Sequence, residues 1–310
     1  MSFDIPILFI LFNRPQHSRQ VFSRIRQAQP AELFVAIDGA RPNHPTDAER
    51  TRECRALLDE IDWPCTVHQL IRTENLGCRR AVSSAITWFF EQVEMGIILE
   101  DDCVPDPTFF SYCREVLLRY AHESSLMHVG GVNFQKGRWH GDGSYYFSKV
   151  CHIWGWATWR RAWKRYDESM ASYPVFKEQN RIADVFDDPR VQQFWMDGFE
   201  SVYNGTNDTW DYQWCYAIWT NNGICSLPNT NLISNIGFDG EATHTKFYDR
   251  SVASHPLNSL TEFRHPTFFI ESKAASTYSL QNSFRKRYWL SNKINGLKRR
   301  LNYKNWNRSV

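Results

Sequence analysis

The sequence lacks the features that mark several common protein classes. No apolar run approaches the roughly 18 residues that a membrane-spanning helix needs. The eight cysteines include no C-x-x-C pair, so the sequence predicts neither a zinc site nor a disulfide framework, and we expect buried thiols. A G-x-x-x-x-G-K-S/T loop and a G-x-G-x-x-G turn after the first strand are also missing, which argues against a P-loop or a Rossmann cofactor site.

The beginning of the chain does not resemble a signal peptide. The stretch MSFDIPILFILFNRP has Asp4 and Pro6 where a signal peptide would have a basic segment. We therefore expect a cytoplasmic protein. We expect no nucleic acid among its partners.

The composition is that of a globular protein with a large core. The chain has 310 residues, of which 42% are hydrophobic and 15% aromatic, enough for one large domain with an elaboration. Its net charge of +2 is uneven, because the segment from residue 284 onward has nine Lys/Arg and no acid, which leaves −7 on the first 283 residues. We predict a domain over 1–283, with a nucleotide-binding half over about 1–125 and an acceptor half over 126–283, and a basic tail over 284–310.

Short apolar runs of strand length alternate with helical patterns in the first half of the chain. Strands that alternate with helices predict an α/β fold with a mostly parallel sheet covered by helices on both faces. Ligands of such sheets bind beyond the carboxyl ends of the strands. The predicted strands are 5–12, 32–38, 65–71 and 96–100, and the predicted helices cover 82–93 and begin at Pro107.

Polar residues follow all four of these strands. One Arg or Asp after a strand is usually a turn or cap residue, but four polar strand ends together favour a ligand site. The candidates are Arg14 after the first strand, Asp38 after the second, Arg79 and Arg80 after the third, and the acidic trio Glu100, Asp101 and Asp102 after the fourth.

The mixture of these side chains limits the kinds of ligand that the site is expected to bind. Arginines suit phosphate, an isolated Asp suits ribose or base donors, and clustered carboxylates suit a hard cation that bridges phosphates. The trio is therefore interpreted as a seat for Mn²⁺ or Mg²⁺ carrying a nucleotide diphosphate. The alternative is that these acids cap the helix at Pro107, although Asp106 is better placed for that role.

The run GIILEDDCVPDPTFFSYC resembles a motif of GT-A nucleotide-sugar glycosyltransferases. FNRP and AIDGARP before it, and WGWATWRRAW and TWDYQW after it, extend the likeness over about residues 6–248. In particular, the sequence resembles the branch of N-acetylglucosaminyltransferase I and its bacterial relatives. The resemblance implies that Asp102 contacts the metal and that Glu100 and Asp101 lie nearer the sugar or ribose. It also implies that Asp38 holds the uridine side and that Arg14 reaches the diphosphate. Arg79 or Arg80 would flank the nucleotide.

The segment NDTWDYQWCYAIWTNNG predicts a helix in the second half. Asn207 or Asp208 is its expected N-cap, and Asn221-Asn222-Gly223 its stop, which places Asp211 in the first turn. The helix dipole there favours an ionised carboxylate, the state that a general base needs. Asp211 could instead only complement the dipole; the resemblance implies that it is the catalytic base.

The second half is rich in tryptophan, which suits the apolar faces of sugar rings. Pairs that repeat every four residues indicate helices packed into the core instead. Trp154 and Trp156, before a predicted helix containing Trp159 and Trp163, are candidates for a site wall; Trp159, Trp163, Trp210 and Trp214 are expected in the core, with Trp210, beside Asp211, also kept as a candidate for ligand contact.

A Gly-rich loop is predicted over 237–244, after a strand. Loops of this composition can close over a ligand. By the resemblance this segment orders over the sugar nucleotide, and His244 falls where that family also has a histidine. The alternative is a surface histidine.

The expected activity is metal-dependent, inverting transfer of a sugar from a nucleotide diphosphate sugar, in the first place a UDP-sugar, in bacterial surface-glycan synthesis. The acceptor would be a hydroxyl of a glycan or a lipid-linked sugar. A sugar-1-phosphate nucleotidyltransferase would share the sheet and metal but should have a Gly-rich loop after the first strand, where FNRPQHSR has no glycine. A non-catalytic sugar-binding protein would have little reason to keep the acids.

The basic tail mixes apolar and basic residues at roughly helical spacing. Such a segment suits an anionic membrane surface, here the inner membrane face. It could equally dock on the acidic body of the protein, and the sequence leaves these two alternatives open.

Overall fold

A mixed eight-stranded sheet organises residues 2–238 and 255–285, the part of the chain that the computed structural model describes. The strands of this sheet are β1 (Ile7–Leu11), β2 (Glu32–Ile37), β3 (Thr66–Ile71), β4 (Met95–Glu100), β6 (Leu126–Gly130), β7 (Tyr145–Ser148), β8 (Trp156–Trp159) and β9 (Ile224–Pro228), and a separate antiparallel pair is formed by β5 (Cys103–Pro105) and β10 (Ile233–Asn235).

The strand order across the sheet is β3-β2-β1-β4-β8-β6-β9-β7. The first four strands in this order pair in parallel, and β6 and β9 run in the same direction. Only β8 and β7, within the described sheet, run the opposite way. The predicted α/β class with a mostly parallel sheet is confirmed.

Ten α-helices are described around the sheets. None of those helices is long and apolar enough to cross a bilayer. They are α1 (Pro15–Ala28), α2 (Asp47–Ala56), α3 (Gly77–Gln92), α4 (Pro107–Arg119), α5 (Arg160–Trp163), α6 (Tyr173–Glu178), α7 (Ile182–Val185), α8 (Pro189–Tyr203), α9 (Asp211–Thr220) and α10 (Lys273–Ser279), with a 3₁₀ turn at Leu57–Glu60 and a π turn at Leu280–Arg285.

Helices cover both faces of the sheet, as predicted. On one face α1 and α4 pack against Ile7, Phe9 and Leu11 of β1. On the other face α3, α8 and α9 pack against Leu8 and Ile10 of the same strand. Successive side chains of a strand point to opposite faces, so a strand buried on both faces must be apolar throughout. This explains the unbroken apolar run near the start of the chain.

The four predicted strands occur within about two residues of their expected bounds and α4 begins at Pro107 as predicted, whereas α3 begins at Gly77, well before the helix predicted over 82–93. Asp106 caps α4 by accepting a 2.9 Å hydrogen bond from the Thr108 N–H, as expected. The helix predicted to contain Trp159 and Trp163 is correct only for Trp163, in α5, because Trp156–Trp159 is strand β8. β8 pairs with β4 on one side and β6 on the other, and this pairing outweighs the four-residue spacing of the tryptophans.

The tryptophans of the second half form a buried aromatic cluster. Trp156 is 1% exposed and Trp210 is 2% exposed, so neither lines an open site, contrary to expectation. Trp156 stacks on Trp210 with ring centroids 5.6 Å apart and also packs on Trp214. The core positions predicted for Trp159, Trp163 and Trp214 are confirmed. Six of the eight cysteines are buried, as predicted.

A neutral histidine, His128 of β6, stands beside this cluster. Its Nδ1 accepts a 3.2 Å hydrogen bond from the Trp214 indole N–H, and its Nε2 lies 3.0 Å from the His152 carbonyl oxygen. An indole nitrogen can only donate, so the imidazole proton must be on Nε2, which donates to His152. Burial lowers the pKa of His128 to about 3.

We expect His128 to make the fold sensitive to acid. The folded protein keeps this imidazole neutral down to about pH 3, whereas the unfolded chain takes up a proton near pH 6.5. Stability present above pH 6.5 should therefore fall by about 1.4 kcal/mol per pH unit as the pH drops toward 3. Urea unfolding between pH 7 and pH 4 should show this slope reduced in His128→Gln. The exposed control His122→Gln should keep the wild-type slope; equal slopes in all three proteins would contradict the prediction.

Candidate active site

The carboxyl ends of β1, β2 and β4 meet at one edge of the sheet, because these neighbouring strands are parallel. A three-residue connection joins β1 to α1 and ends in Arg14. Asp38 follows β2 directly, and Glu100 is the last residue of β4, with Asp101 and Asp102 after it. The parallel pairing thus gathers five of the predicted site residues at one edge.

Arg14 is held by two members of the acidic trio. Its Nε donates to Asp101 Oδ2 at 3.2 Å, its Nη2 donates to Asp101 Oδ1, and its Nη1 donates to Asp102 Oδ2 at 3.0 Å. The Arg14 and Asp101 side chains are 19% and 5% exposed. A bidentate, charge-assisted pair of this kind fixes both groups in orientation. Both oxygens of Asp101 face Arg14, and the sugar or ribose contact expected of Asp101 stays a prediction.

Glu100 lies half-buried in a strongly negative environment. Burial, followed by the charges of Asp102 and Asp101, raises its pKa well above the usual range. The charge of Asp211 adds to this shift. The raised pKa favours protonation of Glu100, which relieves part of the negative charge around Arg14, and a cation would relieve more.

Asp102 is contacted by Asn235 and Gly237, in a segment that the sequence did not identify as the partner of the acidic trio. Its Oδ1 accepts hydrogen bonds from Asn235 Nδ2 and Cys103 Sγ, each at 3.3 Å. Gly237 lies directly above the carboxylate, where a Cβ would collide with Asp102 Oδ2 and come within 2.9 Å of Arg14 Nη1. The sequence offered one weak indication, the glycine of the expected loop, and none for Asn235.

The arrangement suits a cation held mainly by its substrate. Among residues 2–238 and 255–285, no group of three or more His, Cys, Asp or Glu side chains is placed to hold a metal. Mg²⁺ in nucleotide sites commonly takes one or two carboxylates, with phosphates and water as its other ligands. Asp102, 15% exposed, can supply one such carboxylate oxygen, and Gly237 keeps side-chain bulk away from it. The residues fit a one-carboxylate seat for Mn²⁺ or Mg²⁺.

Asp38 organises the loop beside this edge. Its carboxylate accepts hydrogen bonds from Asn75 Nδ2 at 2.8 Å and from the Leu76 N–H at 3.1 Å. Burial raises its pKa, and the Leu76 N–H opposes that shift. Gly39 permits the close approach, because a Cβ there would collide with the Glu74 backbone. The uridine contact expected of Asp38 stays a prediction.

The two candidate arginines of α3 point in different directions. Arg79 Nη2 donates to the carbonyl oxygens of Val202 and Asn207, each at 2.7 Å, and so ties α3 to the segment after α8. The Arg80 side chain is 74% exposed and lies 3.7 Å from Glu168. Of these two arginines, Arg79 is therefore the one whose side chain is fixed by hydrogen bonds to another segment. The nucleotide contact expected of either one stays a prediction.

Asp208 caps a different helix from the one expected. Its carboxylate accepts from the backbone N–H groups of Cys78 at 2.9 Å and Arg79 at 3.3 Å, at the N-terminus of α3. The N-cap of α9 is Trp210, so the prediction of Asn207 or Asp208 at that position is wrong. A helix N-terminus accepts any suitably placed carboxylate, including one 130 residues away in sequence.

Asp211 is the first residue of α9, in the first turn as predicted. Its Oδ1 accepts hydrogen bonds from Thr209 Oγ1 and, at 3.0 Å, from the Tyr212 N–H. Burial, and then the charges of Glu100 and Asp211, raise the pKa of the Cys78 thiol. The charges of Glu100 and Asp211 therefore both act on the Cys78 thiol.

Two predicted segments lie outside the described residues. His244, with the loop beyond Phe238, is one of them, and most of the basic tail is the other. Gly237 is close to Asp102, so the chain enters the first of these segments from the site itself.

Comparisons with known proteins give no family assignment. No family model and no curated protein matches the chain. Among solved structures, it is similar to HddC from Yersinia pseudotuberculosis, with 7% identity and a TM-score of 0.30 over 51% of this chain and 77% of that one. It is similar to 4-diphosphocytidyl-2C-methyl-D-erythritol synthase from Anaerococcus prevotii, with 6% identity and a TM-score of 0.31 over 58% and 85%.

A third similar structure is UDP-glucose pyrophosphorylase complexed with UDP-glucose. The identity is 9% and the TM-score 0.27, over 52% of this chain and 70% of that one. These TM-scores are all below 0.5, so the likenesses establish neither a shared family nor an activity.

We expect Arg14→Gln to lower the free energy of unfolding by about 3 kcal/mol, because it leaves buried carboxylates without their partner. The loss should grow between pH 5 and pH 8. Without Arg14 the folded-state pKa values of Glu100 and Asp101 rise further, and ionising these two groups then costs stability. Urea unfolding at both pH values measures it. Arg26→Gln, which removes the exposed bidentate partner of Asp62, is the matched control and should have far less effect; equal small losses would contradict the prediction.

Proposed function

We propose that this chain is a metal-dependent, inverting GT-A glycosyltransferase that moves a sugar from a UDP-sugar to a hydroxyl acceptor. The observation that carries the proposal is the approach of Asp211 to the acidic trio. The two lie on different elements, α9 and the end of β4, but Asp208, three residues before Asp211, caps the N-terminus of α3, and Leu76 just before that helix hydrogen-bonds Asp38 at the same edge of the sheet. A cation seat and a candidate base on one small region are what transfer from a nucleotide diphosphate sugar requires.

In the proposed reaction Asp211 accepts the proton of the acceptor hydroxyl. The hydroxyl oxygen forms a bond to the anomeric carbon from the face opposite the diphosphate, and the bond from that carbon to the diphosphate oxygen breaks with its electron pair. The configuration inverts, and no covalent sugar-enzyme intermediate is needed. Thr209 Oγ1 and the Tyr212 N–H hold the Asp211 carboxylate in place.

Asp102 would hold Mn²⁺ or Mg²⁺, which supplies positive charge to the leaving diphosphate when it is bound. Arg14 Nη1 already lies against Asp102 Oδ2, so it is the guanidinium group nearest to phosphates carried there. Asp38 is proposed for the uridine side, Glu100 and Asp101 for the sugar or ribose, and His244 for the segment that closes over the donor. A glycan or lipid-linked sugar is the proposed acceptor.

Sugar-1-phosphate nucleotidyl transfer is the rival activity. It would use a similar sheet and metal but needs a phosphate-binding loop after β1. Here only Phe12, Asn13 and Arg14 separate β1 from α1, which leaves little backbone to wrap a triphosphate. The assay below separates the two reactions by their products, UDP in one and pyrophosphate in the other.

A panel of nucleotide sugars with Mn²⁺ tests the proposal. Slow hydrolysis of one donor, with release of UDP, is the expected result. Asp102→Ala should abolish Mn²⁺-dependent UDP-sugar binding and leave the circular dichroism spectrum unchanged, because Asp102 lies at the edge of the sheet. Undiminished metal-dependent binding by this variant would reject Asp102 as the ligand. Pyrophosphate release from UTP and a sugar-1-phosphate would favour the rival.

Asp211→Asn separates base catalysis from binding. The amide keeps the shape of the side chain but cannot accept the proton, so the transfer rate should fall by roughly 10²–10⁴-fold while donor affinity is kept. Transfer to a screened acceptor and calorimetric donor binding measure the two effects. Asp187→Asn, an exposed acid, is the control and should be unaffected. Near-normal transfer by Asp211→Asn, or retained anomeric configuration in the product, would contradict the mechanism.

The basic tail is proposed to bring the enzyme to an anionic membrane surface. Deleting residues 286–310 removes eight Lys/Arg and no acid. The full chain should sediment with phosphatidylglycerol-containing vesicles at low salt and less at high salt, and the deletion should not sediment, with donor hydrolysis unchanged. Equal sedimentation of both proteins would exclude the tail as anchor. Loss of folding in the deletion would favour a tail docked on the domain.

A further inference from the structure

Asn235, the last residue of β10, has a side chain whose orientation is fixed by its contacts. It is 6% exposed, and its Oδ1 accepts a 2.9 Å hydrogen bond from the Gly237 N–H. A backbone N–H can only donate, so the oxygen of the amide must face Gly237 and the nitrogen must face Asp102. Asn235 Nδ2 then donates to Asp102 Oδ1 at 3.3 Å.

The two carboxylate oxygens of Asp102 have different hydrogen-bond donors. Oδ1 accepts from both Asn235 and Cys103, and Oδ2 accepts from Arg14. An ionised carboxylate offers about four acceptor positions, two on each oxygen. Among the described residues Oδ1 therefore has two donors, whereas Oδ2 has one, Arg14, and Gly237 adds no side chain against it.

The backbone holds Asn235 in register with the acidic trio. β10 pairs with β5 so that Asn235 lies opposite Cys103, and the Ile236 N–H donates to the Asp102 carbonyl oxygen at 2.9 Å. The amide therefore cannot shift along the carboxylate without breaking the ladder.

We propose that Asn235 is the positioning residue that turns Asp102 Oδ2 toward the cation carrying the donor diphosphate. This inference rests on the metal role of Asp102 in the proposed function. The competing explanation is that Asn235 only stabilises the turn at Gly237.

Asn231 provides a matched control. It is also 6% exposed and lies on the same segment, two residues before β10. Its Nδ2 donates to the carbonyl oxygens of Ile233 at 2.9 Å and Pro256 at 3.1 Å, and its Oδ1 accepts from the Asn133 N–H. It thus has the same residue type and burial, but its partners are backbone groups.

The test is calorimetric binding of UDP to the full chain with and without Mn²⁺. Asn235→Ala should weaken Mn²⁺-dependent binding about 10-fold, the usual cost of losing a partner that orients a metal ligand, and leave metal-free binding unchanged. Asn231→Ala should lower the melting temperature but keep the ratio of the two dissociation constants at its wild-type value. Equal weakening with and without Mn²⁺ in Asn235→Ala, or no weakening, would overturn the proposal.

A second variant guards against loss of folding in Asn235→Ala. Asn235→Asp keeps the shape and the acceptor for Gly237 but places a second carboxylate against Asp102. It thereby removes the donor to Asp102 Oδ1 and keeps the turn, so calorimetry should show Mn²⁺-dependent UDP binding at least 10-fold weaker than in the wild type. A residue that only supports the turn would leave this binding unchanged in Asn235→Asp, and unchanged binding would overturn the proposal.

The outcomes separate this inference from the proposed function. No Mn²⁺ effect on UDP binding by the wild type would overturn the metal role of Asp102, and the role of Asn235 with it. A Mn²⁺ effect that is lost in Asp102→Ala but kept in Asn235→Ala would overturn only the role of Asn235.

Discussion

The contact between Arg14 and the acidic trio is the constraint on which the rest of the site depends. Parallel pairing of β1 with β4 brings a guanidinium to three consecutive carboxylates at the edge of the sheet. The acids repel one another and lose hydration there, so they need a partner from outside their own strand. Arg14 compensates part of this charge and fixes the positions of Asp101 and Asp102. The negative charge that remains is the basis on which a cation is proposed there.

The strands of the first half could be predicted because the sequence of each one indicates both its burial and its end. A strand buried on both faces is continuously apolar, and its end is marked where polar residues begin, as at Arg14 and Glu100. Parallel pairing then places those ends together without further information. The position of Asp211 at the start of a helix was predictable for the same local reason, since an acid after a cap-like segment suits a helix N-terminus.

The rest depends on contacts between distant segments. Trp156 is of a residue type that suits a sugar-binding surface, but the pairing of β8 between two strands buries it. Asp208 is of a residue type that commonly caps the helix that follows it in sequence, yet its carboxylate caps the N-terminus of α3. Asn235 is an unremarked polar residue until β10 places its amide on Asp102. In each case the residue type was compatible with several environments, and only the tertiary partner decided between them.

The position of β8 between β4 and β6 has a consequence for synthesis on the ribosome. β4, which carries the trio, lacks one neighbour until residue 159 has emerged, and Asp102 lacks its Asn235 partner until residue 235 has followed. Contacts separated by 88 residues, from Arg14 to Asp102, and by 133, from Asp102 to Asn235, close slowly because a long loop must be ordered first. Until those later segments emerge, Arg14 is the partner that the nascent chain offers to Asp101 and Asp102.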